Sequence, residues 1–462
     1  MANWTALGLG SYVSKTGSDS TGTGSATNPF ATIDKAVAAG ATTVYVDSGT
    51  YPGITGWTRS GITIAGWPGR QRPVISGFAI KSGAAVSNVR LFDLILKAAA
   101  PDQYPLDLLG SGAGFRAEGC LIQGGMGLRL QAYPVGTRFN APTFFRCMLF
   151  DAAYQGMYAQ GVDNLLFEES SCVRAGGTGS IFRQGLYVHQ SCSPAIIRGS
   201  MFAYACAGGL QARTGGTIED CLGVDCPIAF QLGHNETGVV GDGNTSAFRA
   251  RGTIKNCVAM GGADIGSSPR GMAFWAENVE DGLFDGCLAI NSKGGDPAAF
   301  LARTRSVIRM QRCLGYNFNK AGEPSIMSYD GSTVTADSTN DLRFVHRGVS
   351  PGSAYPAPDA GILEYAKKVL GQSATVAQFW DAVRDNCKAN WNFALTASAV
   401  NAWVQENFGR GSVTVPPVVP PVVPPTTSNK LLEVVGGSNF ALMRFENPPS
   451  DEILAKIKAA LG

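Results

Sequence analysis

The stretch EGCLIQGGMGLRLQ (Glu118–Gln131) decides the fold, because both of its halves return along the chain. The first half runs polar, polar, Cys, apolar. It comes back as FRCML at Cys147, SSCVR at Cys172, GSMFA at Met201, EDCLG at Cys221, KNCVA at Cys257, DGCLA at Cys287 and QRCLG at Cys313. The spacings, 27, 25, 29, 20, 36, 30 and 26 residues, are too regular for chance and too uneven for a helical array of fixed period. A β-solenoid accepts them, since extra residues bulge at its corners while its strands keep register.

The second half, MGLRLQ from Met126, returns as QGMYAQ from Gln155, QGLYVHQ from Gln184, GGLQAR from Gly208, IAFQLG from Ile228, MAFWAE from Met272 and AAFLAR from Ala298. Each alternates with period two, as a strand does with one face inside and one outside. Two short strands and their turns in roughly 25 residues make one coil of a solenoid. The predicted fold class is therefore all-β, a right-handed parallel β-helix from about Thr27 to Phe318, with the cysteines stacked inside as a ladder about 4.8 Å per rung.

Composition agrees with tight turning: 59 glycines and only 16% charged residues in 462. With a net charge of +2 the chain offers no field for nucleic acid or an anionic membrane. Its first residues, MANWTALGLGSYVSKTGSD, lack the basic and apolar regions of a secretion signal, and no window of about 18 apolar residues follows. The expectation is a protein made in the cytoplasm, without membrane insertion, whose eleven cysteines are reduced core residues and not a disulfide framework. Cys221 and Cys226 have no second pair to close a zinc site, and neither metal nor cofactor is expected.

The segment NPFATIDKAVAAGATTVYVDSGTYPG, from Asn28, resembles the beginning of the pectate-lyase-like β-helix superfamily. There a short helix caps the open end before the first strand, here VYV. GITIAGWPGRQRPVISG from Gly61 and VSNVRLFDLIL from Val86 are similar to that superfamily's first coils. The resemblance speaks for fold more than for chemistry, because the superfamily holds lyases, glycosidases, esterases and plain binders. No run of Asp on successive rungs and no full Arg-x-Pro-x-x-Arg segment is present, which disfavours calcium-dependent pectate cleavage.

Residues 1–23 read as an extension, 24–345 as the β-helix and 346–410 as a helical segment. The helices are expected at Asp359–Leu370, Thr375–Lys388 and Thr396–Phe408, covering the far open end of the solenoid. VTVPPVVPPVVPPTT lies in a Pro-rich linker over 411–428. Residues 429–462, with the strand-like LLEVV and a helix opening at Ser450, read as an attachment or oligomerisation module.

Aligning the second motif on its small residue sorts inward from outward positions. The outward columns are Arg129, Tyr158, Tyr187, Gln211, Gln231, Trp275, Leu301 and Gln131, Gln160, His189, Arg213, Gly233, Glu277, Arg303. Aromatic faces suit pyranose rings, and amides and guanidinium groups fork onto hydroxyls and carboxylates, so this face is expected to bind a polysaccharide. Arg129, Tyr158, Gln160, Gln211, Gln231, Trp275 and Arg303 are its expected contacts.

Tyr187, His189 and Arg213 form the expected catalytic cluster. Arg213 would neutralise a uronate, His189 or Tyr187 remove the C5 proton, and Tyr187 protonate the leaving oxygen. A hydrolase would instead need two carboxyl groups. Glu277 lies in the outward column, and the insert GHNETGVVGDGN (Gly233–Asn244) brings His234, Glu236 and Asp242 to the same edge.

A β-helix with a helical end, a proline spacer and a small terminal module resembles a bacteriophage tail spike. The resemblance implies a virion protein, a homotrimer that contacts baseplate or tail proteins and recognises, and often cleaves, capsule, lipopolysaccharide or exopolysaccharide. A non-catalytic receptor-binding spike and a bacterial polysaccharide lyase or hydrolase stand as alternatives.

Overall fold

The computed structural model describes residues 4–177, 180–234, 250–324, 326–347 and 361–410, with backbone alone for 341–344 and for strands Leu431–Gly436 and Asn439–Arg444. It divides into two units, Met1–Val415 and Pro416–Gly462.

In the first unit the chain winds through three long parallel sheets of 13, 12 and 11 strands, called here A, B and C, and a fourth parallel sheet has three short strands. Each coil visits A, then B, then C. The coil around the quoted stretch shows this: Arg116–Glu118 lies in A, Leu121–Gln123 in B and Leu128–Ala132 in C. Sheet A begins at Ser11–Val13, so the ladder starts inside the segment read as an extension. The last strand of sheet B is Asp341–Val345.

A single residue with positive φ turns the chain from A to B. Asp93, Gly119, Arg146, Glu169, Gly199, Asp220, Asn256, Gly286 and Arg312 hold this place on successive coils, with φ between 46° and 67°. Gly, Asn and Asp enter that region at least cost. The residue after each corner points inward, and here the expected cysteine ladder needs correcting. Its members are Cys120, Cys147, Ser170, Ser200, Cys221, Cys257, Cys287 and Cys313, all buried. Cys172 sits two residues further along, level with Leu149 and Phe202, and Met201 is one past its ladder position.

The reason is hydrogen bonding at the corner. The Cys221 and Cys257 thiols reach the carbonyl two residues back at 3.3 Å, and the Ser170 and Ser200 hydroxyls do the same at 2.8 and 2.9 Å. A small side chain carrying one donor is what the position demands, and Ser supplies it as well as Cys. All eleven cysteines are free thiols.

The inward column of sheet C runs Leu128, Met157, Leu186, Leu210, Phe230, Phe274, Phe300, each at most 1% exposed. Phe274 stacks between Phe230 and Phe300 at centroid distances of 5.5 and 5.3 Å, one rung in each direction. Before this column stands the small-residue column. A Cβ on Gly185 would come within 2.6 Å of the Gly209 carbonyl oxygen. Gly185→Val is accordingly expected to cost about 1–3 kcal/mol by overpacking, read as a lower urea midpoint at unchanged slope.

Helix α1 (Ile33–Ala38) buries Ile33, Ala36 and Val37 against the core at the first rungs, with the Thr32 hydroxyl capping its start. Helices α2 (Ile362–Leu370), α3 (Val376–Asp385) and α4 (Ala397–Asn407) follow the solenoid. They do not close its far end. They lie along the outer face of sheet B, where Phe379, Trp380, Val383, Val400 and Val404 pack on Met148, Phe150, Met201, Leu222 and Leu288. Trp380 Nε1 donates to the Tyr204 hydroxyl at 3.3 Å, and Gln405 Nε2 to the Gly286 carbonyl at 3.2 Å.

The strands MLF, MFA, VAM and LAI explain this placement: apolar at every position, they are buried on both faces. A face so apolar needs a lateral cover more than the end rung does.

In the second unit Leu431–Gly436 pairs antiparallel with Asn439–Arg444. The Pro-rich linker and the helix expected at Ser450 lie outside the described residues.

Candidate functional site

Register places the outward residues of sheet C in the two columns expected. Asp107, Arg129, Tyr158, Tyr187, Gln211, Gln231, Trp275 and Leu301 are successive partners across the ladder. Gln131 pairs with Gln160, and Gly233, Glu277 and Arg303 follow one another further along. His189 and Arg213 directly follow the paired residues Val188 and Ala212, which sets them one rung apart.

The face is not uniformly open. Arg129, Tyr158, Gln160, Tyr187, His189 and Arg213 are half-buried, whereas Gln211, Gln231, Trp275, His234 and Glu277 are buried at 6–9% exposure. Trp275 belongs to a small apolar cluster with Met272, Ala298, Leu301 and Met327, so it does not join an exposed aromatic row. The alternation of MAFWAE puts Trp275 on the outward side correctly but says nothing of what packs over it. Glu236 and Asp242 lie outside the described residues.

The two tyrosines also differ from the expected platform. Their rings stack on each other, 5.5 Å apart and 6° from parallel, and the Arg213 guanidinium carbon stands 5.1 Å from the Tyr187 ring centroid. Each ring thus spends one face on the other, and Tyr187 a second on Arg213. What they turn outward is ring edge and hydroxyl, which suits hydrogen bonding more than stacking on a sugar.

Around this stack the polar groups are tied together. The Tyr158 hydroxyl donates to Gln160 Oε1 at 2.7 Å, and Gln131 Nε2 donates to the same oxygen at 3.0 Å. Arg213 donates to Gln190 Oε1 at 2.9 Å. His189 Nδ1 accepts the Ser191 N–H at 3.2 Å and lies 2.9 Å from the Ser191 hydroxyl. With Nδ1 accepting, a neutral His189 ring carries its proton on Nε2 and offers it as a donor. Burial pushes the Tyr158 phenol up to about 12, against the opposing charge of Arg213, so this hydroxyl stays a proton donor at neutral pH.

At the N-terminal rungs, Arg129 grips Asp107 through two hydrogen bonds of 2.7 and 2.6 Å and lies over the Tyr104 ring. At the other end Gln231 Nε2 donates to Glu277 Oε2 at 3.1 Å. Arg303 faces Asp330 at 3.4 Å. Burial raises the Glu277 carboxyl above its ordinary 4.5, with Arg303 and Arg213 opposing and Asp330 adding to the rise.

A raised folded-state pKa means that the proton stabilises the fold. The contribution is whole below the ordinary carboxyl range and is lost as pH climbs through the folded value. Glu277→Gln should therefore match the parent in acid and become the more stable of the two as pH rises to neutrality and above, as thermal melts across pH 4–8 would show.

Sequence reasoning missed Asp107, Tyr133, Arg138, Gln190, Ser191 and Asp330. Asp107 was within reach, since LDLLG (Leu106–Gly110) continues the outward column one rung back. Tyr133 and Arg138 come from the loop between Leu128–Ala132 and Phe139–Asn140, where no period exists to read. That loop closes a cavity of about 200 Å³ lined by Gln131, Tyr133, Arg138, Gln160 and Ser191, the last two also bonded to Tyr158 and His189. Arg138 is fixed there by Asp163 and by the Ser191 carbonyl at 2.7 Å. Among the described residues no group of three His, Cys, Asp or Glu side chains could hold a metal ion, and no helix is long and apolar enough to cross a membrane.

Three parallel sheets wound coil upon coil make this a right-handed parallel β-helix protein. No protein-family profile and no curated protein matches the sequence. Among solved structures the chain is similar to a rhamnogalacturonan lyase, at 14% identity over 78% of this chain and 92% of that one, TM-score 0.44. It is similar to pectate lyase Pel9A at 16% identity over 76% and 84%, TM-score 0.39. A third is the catalytic unit of a thermostable GH87 alpha-1,3-glucanase from Streptomyces thermodiastaticus strain HF3-3, at 14% identity over 64% of each chain, TM-score 0.37. Likeness at this level transfers neither a site nor a substrate.

Proposed function

We propose that the protein is a tail-spike-like β-helix that binds a bacterial surface polysaccharide along the open rungs of sheet C and cleaves it there. The observation that carries this reading is the contiguous polar row of Gln131, Gln160, Tyr158, Tyr187, His189 and Arg213, joined by hydrogen bonds at Gln160 and by ring contacts through Tyr187, beside a cavity of about 200 Å³. The cavity is smaller than the 300–1,000 Å³ pockets that take drug-sized ligands, and it suits a single sugar ring of a longer chain. Exposed Tyr133 supplies the free aromatic face that the stacked tyrosines do not.

Cleavage of a uronate polymer by β-elimination fits these groups. Arg213 meets the uronate carboxylate. Entered as the phenolate beside the Arg213 guanidinium, the Tyr187 oxygen takes the C5 proton and becomes phenol, the C5 electron pair forms the C4–C5 double bond as the C4–O bond breaks, and His189 Nε2–H protonates the leaving oxygen. Solvent then returns a proton to His189 and takes one from Tyr187.

Hydrolysis is the second reading, and it is favoured by a buried carboxyl on the same face, Glu277, which burial makes a weaker acid than an ordinary glutamate and so a more suitable proton donor. A homotrimer carried in the virion and bound to baseplate or tail proteins belongs to this proposal, with sedimentation of the purified chain as its check.

The binding half is tested by retention of fluorescently labelled capsular and lipopolysaccharide fragments on the immobilised protein. Gln160→Ala and Arg213→Ala should each weaken retention about tenfold or more. Retention unchanged in both would remove sheet C as the binding face.

A further inference from the structure

We propose that a second carbohydrate site, for a neutral hydroxyl-rich sugar, lies between helix α4 and the corner joining sheets A and B, across the coil from sheet C. A cavity of about 710 Å³ is there, a volume in the range of pockets that bind small molecules.

Its floor is the stack of corner residues. Glu169, Gly199, Asp220, Asn256 and Arg312 line it, all with positive φ and all at the bend from sheet A to sheet B. Gly199 alone among these five has no side chain. A Cβ placed there would stand 3.4 Å from Glu169 Cγ and 3.4 Å from Ser398 Oγ, so the missing side chain is what keeps this part of the cavity open.

The opposite wall is helix α4. The Ser398 hydroxyl donates to the Asp220 carboxyl, and Asn401 Nδ2 faces Asp220 Oδ1 at 3.3 Å, the Cys221 carbonyl at 3.1 Å and the Asn256 carbonyl at 3.5 Å. Three acceptors around that nitrogen fix the orientation of the amide. Asn401 is 2% exposed and lines the cavity, and its Oδ1 has no hydrogen-bond partner. A buried acceptor left unpaired is costly, which marks a place where a donor from outside would be welcome.

The charge pattern selects the ligand. Glu168 pairs with Arg198 at 2.7 Å, Glu219 with Lys255 at 2.9 Å and Glu169 with Arg146 at 2.7 Å. An anion entering the cavity would meet Glu168, Glu169 and Glu219, and a cation would meet Arg198 and Arg312. A molecule whose hydroxyls both donate and accept can use carboxylates and guanidinium groups together without bringing a charge of its own. Burial raises the Asp220 carboxyl, which leaves it readier to donate as well.

The test is saturation-transfer NMR on the full chain with glucose, galactose, mannose and N-acetylglucosamine as probes. Gly199→Asn fills the cavity at a backbone conformation that asparagine accepts. Arg410→Ala shortens a lining side chain that follows helix α4 and leaves the corner residues themselves unchanged, and Gln160→Ala reports on sheet C.

Saturation of at least one probe should disappear in Gly199→Asn, weaken about tenfold in Arg410→Ala and persist in Gln160→Ala. No probe saturated by the parent chain, or saturation at parental strength in Gly199→Asn, overturns the site. Loss in Gln160→Ala alone overturns it too, while leaving the sheet C reading standing. Should Gly199→Asn fail to melt cooperatively, Arg410→Ala decides, and unchanged saturation there overturns the site.

Discussion

Replacing Arg146 by alanine is expected to lower the unfolding free energy by about 3–5 kcal/mol, the cost of breaking a buried ion pair from one side. Arg146 is 4% exposed and lies at a corner with φ of 52°. Its Nε holds Glu169 at 2.7 Å, and its guanidinium carbon is 4.5–4.6 Å from the ring centroids of Trp4, Phe145 and Trp391. Those rings belong to three separate parts of the chain. Trp4 is in the arm ahead of the first strand, Phe145 ends a strand of sheet A, and Trp391 lies between α3 and α4.

The arm is tied in again nearby, where the Thr5 N–H and hydroxyl both reach Glu118 at 2.7 Å. Arg146 thus joins arm, solenoid and helical cover at one point. Alanine would strand Glu169 and empty the aromatic cage together. Arg146→Lys should lose less but still more than a surface change, because an ammonium has no plane to lay against three rings. Chemical denaturation followed by tryptophan fluorescence reads both, since two of the caging rings are indoles.

The second large effect concerns turnover. His189→Ala and Tyr187→Phe should each lower the rate of polysaccharide cleavage by about 10²–10⁴, the usual worth of a positioned proton donor or acceptor. Arg213→Ala should lose affinity as well as rate, because its guanidinium would meet the substrate carboxylate in both ground and transition states. A wild-type rate in all three variants would remove this cluster from the chemistry. Glu277→Gln separates the two mechanisms: a hydrolase that uses Glu277 as its acid loses activity, whereas a lyase working through Tyr187 and His189 keeps most of it.

The fold was legible because the strands of sheet C alternate. In QGLYVHQ and MAFWAE the period of two tells inside from outside, and observed register reproduces the columns from Arg129 to Leu301. The corner ladder was legible only in part. Cysteine marks it at Cys120 and Cys221, but at Ser170 and Ser200 the same hydrogen bond is made by a hydroxyl, and the eye follows the next sulfur to Cys172. The helical segment was visible in its apolar periodicity, yet its place against sheet B was written elsewhere, in strands apolar on both faces such as MLF and VAM.

In the site, a sequence pattern assigns a side chain to a face and goes no further. It could not say that Tyr158 and Tyr187 occupy each other's faces, that Trp275 is covered, or that Tyr133 and Arg138 fold over Gln131 and Gln160 from a loop without period.

Cleavage of a bacterial polysaccharide on the open rungs of sheet C is the proposed activity. It is tested most directly by incubating the purified chain with capsular, lipopolysaccharide and uronate polymers, following absorbance near 235 nm and reducing ends together. New reducing ends are expected from at least one polymer, with rising absorbance when the route is β-elimination, and both should be lost in His189→Ala and Arg213→Ala. Product formed at an undiminished rate by those two variants, or no product from a polymer that the protein binds, would contradict it.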